Sequence, residues 1–269
     1  MPPTTVKALF FDVFGTLVDW RSGVAREAER LLSTQGVDLD WLGFADAWRA
    51  EYQIGMEEVR SGRIPFSPLD MLHRRNLDRI LPRFGLEYLG EGMRDELNLA
   101  WHRLDAWPDV PLAMARLRGR FLIAPVSNGN IALQVPLARR NGFHWDAVLG
   151  AEIAGDYKPK PRVYLACAES LALPPEACMM VAAHSDDLAA GRRLRPTHRP
   201  YRAPGRMRPR PRRKRAGRAG WHCGRRSSRP RRGALCLEHR AQKCERFCAE
   251  AMLLLFEYRA SFPLLGDLT

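Results

Sequence analysis

Apolar and polar positions alternate along this chain in blocks that change period. Val6 to Phe11 is a short apolar run, broken only by Lys7, and it ends in a carboxylate, Asp12. Such a run, bounded by turn residues, predicts a strand buried on both faces. From Arg21 to Leu32 the spacing becomes helical, with Val24, Ala25, Ala28, Leu31 and Leu32 on one side. Helical spacing continues to about residue 104, and Trp41, Phe44, Trp48, Tyr52, Met56 and Val59 form a single stripe. No strand pattern stands between 21 and 118. Strand character returns at Phe121–Val126, then at Ala147–Gly150, then at Met179–Ala183. Helices are predicted between these runs, at Ile131–Arg140 and near Tyr164–Leu171. Strands separated by helices predict an α/β fold, a doubly wound parallel sheet with right-handed crossovers. Residues 1–19 and 104–192 then form the core, and residues 20–103 an all-helical insertion.

The pattern breaks after Arg192. Arg, Pro and Gly dominate to about residue 233, and helix-like spacing recovers only over 234–269, around Met252-Leu-Leu-Leu-Phe256. The net charge of +13 comes from this region. Residues 192–232 hold 18 Lys and Arg and no acid, which leaves 25 basic against 30 acidic residues elsewhere. A polyanionic partner is therefore an argument about residues 193–233 alone, and the remainder of the chain speaks against nucleic acid. Cys167 and Cys178 lie in apolar contexts and read as small buried hydrophobes. Cys223, Cys236, Cys244 and Cys248 gather with His222 and His239, but their spacing fits no strong zinc pattern; Asp186 and Asp187 make only an incomplete magnesium site with Phe14 in place of an acid, so no metal is expected. No run of 18 apolar residues predicts a membrane span, and the first residues lack the make-up of a signal peptide. The expectation is a cytoplasmic protein.

Four polar clusters follow the four apolar runs or lie beside them: Asp12 with Thr16, Ser127 with Asn128, Lys158, and Asp186 with Asp187. In an open parallel sheet these positions share the carboxyl edge, where such sheets carry their ligands. A turn Ser-Asn or a solvated Lys is unremarkable alone; the joint order is not. Phe14 stands where a second acid would be needed for phosphoryl transfer.

The stretches Phe11-Asp-Val-Phe-Gly-Thr-Leu-Val-Asp-Trp20, Trp101-His-Arg-Leu104, Pro108-Asp-Val110, Ser127-Asn-Gly129, Tyr157-Lys-Pro-Lys-Pro-Arg-Val-Tyr164 and Val181-Ala-Ala-His-Ser-Asp-Asp-Leu188 resemble the haloacid dehalogenase superfamily. Within it they are most similar to the type II, L-2-haloacid dehalogenases, and the resemblance spans residue 5 to about 192. It implies hydrolysis of short 2-haloalkanoic acids to 2-hydroxy acids, with no cofactor. Asp12 would be the nucleophile, forming a transient ester. Thr16 and Ser127 would orient Asp12, Lys158 would keep it ionised, and Asp187 would position Lys158 or the attacking water. The resemblance gives Arg49 the halide, with help from Asn128. It places Phe14, Trp20 and Tyr164 in the pocket wall and His184 near the water. A phosphatase of the same superfamily is the rival enzyme, and a nucleic-acid-binding protein is the rival from another class. Dimers are usual in the resembled family; the chain itself leaves its assembly open. Lys160 departs from the family pattern, standing where an acidic residue is common.

The larger departure after Arg192 reads as a shifted frame. The family continues with Ala-Ala-x-Arg-Ala-x-Gly-Leu-Arg-Thr-Ala. When each codon from Arg195 to Pro209 is started one base later, permitted codons spell Gly-Leu-Arg-Thr-Ala-x-Ile-Ala-Arg-Pro-Asp-Glu-Cys-Gly-Pro. His198 allows only Thr or Ile there, and Met207 only Cys. A slipped frame would remove the fifth strand and leave the edge of the fourth unpaired.

Overall fold

A computed structural model describes residues 6–183 and 187–190. The expectations for residues 193–233 and 234–269, and for the cysteine cluster and shifted frame within them, lie outside the described residues, as does His184.

Four strands form one parallel sheet: β1 (Ala8–Phe11), β2 (Leu122–Ser127), β3 (Leu149–Gly150) and β4 (Cys178–Val181), in the order β3-β2-β1-β4. β1 is central; Ala8 pairs with Leu122 on one side and Cys178 on the other, and Phe11 with Pro125 and Val181. All of its residues are buried, as a parallel strand covered on both faces requires. Side chains alternate between two layers. Leu9, Phe11 and Ile123 enter the larger core, whereas Ala8, Phe10, Ala124 and Val126 enter the smaller. Helices α5 (Val110–Arg118) and α6 (Ile131–Asn141) cover the first face, and α8 (Pro161–Ser170) the second. Cys167 and Cys178 are buried in the smaller core.

Between β1 and α5 the elements are all helical, the α-helices being α1 (Trp20–Leu32), α2 (Trp41–Arg60), α3 (Leu69–Ile80) and α4 (Glu91–Asn98). Asp19 caps α1 by accepting from the N–H groups of Arg21 and Ser22, and Asp40 caps α2 by accepting from Gly43. The predicted stripe on α2 is its inward face: Phe44, Trp48, Tyr52, Met56 and Val59 are buried, and Trp41 is half-buried.

β3 is shorter than its sequence run because the chain turns at once into α7 (Ala151–Ala154). Gly150 makes this possible. Its φ is +131°, and a Cβ there would lie 2.2 Å from the Ser127 carbonyl oxygen. Among the described residues β4 pairs on one side only, with β1.

The chain passes β1, β2 and β3 in one direction and then returns to place β4 on the far side of β1. The topological switch point therefore lies between β1 and β4, at the carboxyl ends of those strands. Asp12 follows β1 and Asp187 follows β4, so both sit at this point.

Candidate active site

Asp12 leaves β1 into a tight turn. Thr16 and Leu17 donate backbone N–H bonds to the Val13 carbonyl, and Gly15 takes φ +81° to allow it. The turn brings the Thr16 hydroxyl to 2.7 Å from Asp12 Oδ2, to which it donates. The same oxygen of Thr16 accepts from the Ala183 N–H at 2.9 Å, tying the turn to the segment after β4.

Lys158 enters from the loop before α8. Its ammonium donates to Asp12 Oδ1 at 2.9 Å and to Asp187 Oδ2 at 2.8 Å, and the three side chains are at most 10% exposed. Burial alone would strip the proton from this lysine. The two carboxylates outweigh that effect and hold its pKa above the ordinary lysine value. Asp187 Oδ1 accepts from the Tyr164 hydroxyl at 2.7 Å. Asp12 thus has one oxygen on a hydroxyl and the other on a fixed cation, which favours its ionised, nucleophilic form.

These groups open into a cavity of about 700 Å³ lined by Asp12, Phe14, Arg49, Asn128, Lys158 and Asp187, with Tyr52, Gln53, Glu57 and Arg60 from α2 and residues 159–161 at its margin. The Arg49 guanidinium lies over the Tyr52 ring at 3.7 Å from its centroid and 5.2 Å from that of Trp20. Its Nη1 is buried and has no hydrogen-bond partner among the described residues. An arginine with an unpaired buried N–H, in the wall of a cavity that Asp12 also lines, is suited to an anion.

Several predicted residues take other places. Ser127 makes no hydrogen bond to Asp12; its oxygen accepts from the Gly129 N–H at 3.0 Å, closing the turn after β2. Trp20 does not line the cavity; it lies beneath Arg49 and stacks on Trp101 at 6.3 Å. Tyr164 likewise stands behind the wall, holding Asp187. Asn128 lines the cavity, and its Oδ1 accepts from the Lys158 N–H at 2.9 Å. Phe14 lines the cavity as expected; it is 2% exposed and packs edge-to-face with Trp101, ring centroids 5.8 Å apart. Arg60 and Gln53 also stand at the cavity margin, and on α2 they follow no apolar period that would mark them.

Among the described residues, which do not include Asp186, the donor set does not suit a divalent cation. The position between Asp12 and Asp187 belongs to the Lys158 ammonium, and Phe14 supplies no ligand. No group of three His, Cys, Asp or Glu side chains gathers for a metal among the described residues.

The sequence profile of haloacid dehalogenase-like hydrolases matches residues 6–195. The chain belongs to the haloacid dehalogenase-like hydrolases. The match ends close to Arg192, where the sequence leaves the family pattern. The (S)-2-haloacid dehalogenase 4A of Burkholderia cepacia is 29% identical over 187 residues, covering 68% of this chain and 78% of that protein. The crystal structure of a defluorinating L-2-haloacid dehalogenase is 40% identical, with a TM-score of 0.70, covering 72% of this chain and 80% of the other. The L-2-haloacid dehalogenase of Xanthobacter autotrophicus with chloropropionic acid covalently bound is 25% identical, with a TM-score of 0.63, covering 71% and 75%. A phosphoglycolate phosphatase of Aquifex aeolicus is also similar, at 23% identity over 70% of this chain and 81% of that protein. The phosphatase reading is the weaker of the two, because Phe14 removes the second acid that chemistry needs. Among the described residues no helix is long and apolar enough to cross a membrane.

Proposed function

We propose that this hydrolase removes halide from short 2-haloalkanoic acids and yields the 2-hydroxy acid with inverted configuration. The observation that carries this reading is the Asp12–Lys158–Asp187 bridge facing the unpartnered Arg49 across a cavity walled by Phe14. The Asp12 carboxylate attacks C2 of the substrate. A carbon–oxygen ester bond forms as the carbon–halogen bond breaks, and the halide leaves with the electron pair toward Arg49. Halide needs no proton to depart, so an apolar Phe14 costs the reaction nothing. Water then adds to the ester carbonyl carbon, with Asp187 accepting its proton. The Lys158 ammonium neutralises the charge that develops on the ester oxygen. Collapse expels the 2-hydroxy acid, its new hydroxyl taking up the proton held by Asp187; the second proton of the water passes to solvent, and Asp12 and Asp187 are both restored as carboxylates. Thr16 keeps the carboxylate aimed between turnovers.

The relatives named above are dehalogenases, and one of them is a defluorinating enzyme. Fluoroacetate therefore belongs in the substrate panel beside the chloro and bromo acids. The test is halide release by the purified chain without added metal, compared with Asp12→Asn. Release by the parent and none by the variant supports the assignment, and equal release by both removes it. Magnesium-dependent phosphate release, lost in Asp12→Asn, would favour the phosphatase instead. A homodimer is the assembly we expect, and sedimentation measures it.

A further inference from the structure

The end of α2 and the loop that carries Lys158 hold each other by two bonds of opposite sense. Arg60, the last residue of α2, donates from Nη1 to the Lys158 backbone carbonyl at 2.7 Å. The rest of its guanidinium is fixed by its own helix: Nε donates to Glu57 at 2.9 Å and Nη2 to Gln53 at 3.0 Å. Lys160 answers by donating from Nζ to the Arg60 carbonyl, at the helix C-terminus where a cation is favoured. This is the residue at which the chain departs from its family pattern, and the departure has a partner in the fold.

Lys158 is consequently pinned through both polar groups of its backbone. Its N–H is held from the sheet by Asn128, and its carbonyl from the helical insertion by Arg60. An ammonium on a flexible stem is placed no better than the backbone that bears it. Arg60 is 12% exposed, so this bond is made in a largely dry setting, where it is stronger than at a free surface.

We propose that Arg60 is a positioning residue for Lys158, with Lys160 as its counter-latch, so that the ammonium is seated between Asp12 and Asp187 only when the helical insertion is docked. The role in turnover rests on the dehalogenase reading above; the clasp itself does not. Other bonds cross the same seam, including Tyr157 Oη to the Ser67 carbonyl at 2.6 Å and Asn130 Nδ2 to Asp70 at 2.9 Å. Removing Arg60 should therefore leave the fold standing.

The test compares Arg60→Met, Arg60→Lys, Lys160→Met and the double Met variant. Each is read by kcat and KM for halide release and by amide hydrogen exchange in peptides covering 156–162. Arg60→Met should lower kcat roughly ten- to hundredfold with KM little changed, because a displaced catalytic group costs rate rather than binding. Arg60→Lys, which keeps one donor, should recover part of the loss. Lys160→Met should cost less, and the double variant should be no worse than Arg60→Met alone, as members of one clasp are not additive. Exchange over 156–162 should quicken in every variant that slows turnover. Unchanged kcat with unchanged exchange in Arg60→Met, or losses that multiply in the double variant, would overturn the proposal. Quickened exchange in Arg60→Met of a parent that releases no halide would uphold the clasp and dismiss the dehalogenase reading. Unchanged exchange would dismiss the clasp whatever the parent's activity.

Discussion

Replacing Lys158 by Met should turn the site's acid–base behaviour around. Methionine keeps much of the stem but removes the cation that stands 2.9 Å from Asp12 and 2.8 Å from Asp187. Two buried carboxylates are left facing one another with their shared partner gone. Breaking a buried pair by deleting one member costs about 3–5 kcal/mol near neutral pH. The variant can relieve this by protonating one carboxylate, whose folded pKa then lies above its unfolded value of about 4. That contribution is favourable at low pH and lost as pH rises through the folded pKa. The deficit relative to the parent should therefore shrink between pH 8 and pH 5, by at most about 1.4 kcal/mol per pH unit for one proton. In the parent, Lys158 has a raised pKa, so its contribution is intact below the ordinary value of 10.5 and is lost only under stronger alkali. Urea unfolding of both proteins at pH 5, 6, 7 and 8 measures the difference. A deficit that stays constant or grows on acidification would refute the bridge as the source of the stability. Halide release should stay at least about 100-fold below the parent at every pH, because neutrality does not replace the missing cation.

His73 offers a second pH test. It is buried against Trp101 at 4.2 Å, both ring nitrogens lack hydrogen-bond partners among the described residues, and burial lowers its pKa to about 3. Below about pH 6.5 the unfolded chain takes up a proton that the folded chain refuses, so stability falls from there toward pH 3. His73→Phe should raise Tm and flatten part of that fall, and an equal acid sensitivity by calorimetry would count against it. Gly150→Ala should destabilise by about 3 kcal/mol or more, since its Cβ would meet the Ser127 oxygen at 2.2 Å; thermal unfolding like the parent's would show that β3 does not lie so close. Arg49→Met should leave stability unchanged or higher while reducing halide release by about 100-fold or more. A Tm loss in proportion to the activity loss would make Arg49 structural instead.

Much of this architecture was legible because burial imposes period. The unbroken apolar run at Ala8–Phe11 follows from a strand covered on both faces and the Phe44-to-Val59 stripe from a helix covered on one, and both appear as expected. The clustering of Asp12, Lys158 and Asp187 followed from strand ends, since a parallel sheet brings its carboxyl ends together. What stayed hidden depended on contacts far apart in sequence. Arg60 and Lys158 are 98 positions apart, and nothing local marks an arginine at a helix end as their link. The roles of Ser127, Trp20 and Tyr164 turned on whether a side chain faces the cavity or the layer behind it, a distinction of one rotamer or one turn. His73 lies between Leu72 and Arg74 and looks half-polar in sequence, yet it is 1% exposed.

One isotopic turnover tests the central claim most directly. An excess of protein is mixed with 2-chloropropionate in heavy-oxygen water, and the peptide bearing Asp12 is weighed. Ester hydrolysis at the aspartyl carbon predicts heavy oxygen in the Asp12 carboxylate and ordinary oxygen in the lactate formed. Heavy oxygen in the lactate, with an unlabelled Asp12, would contradict the account.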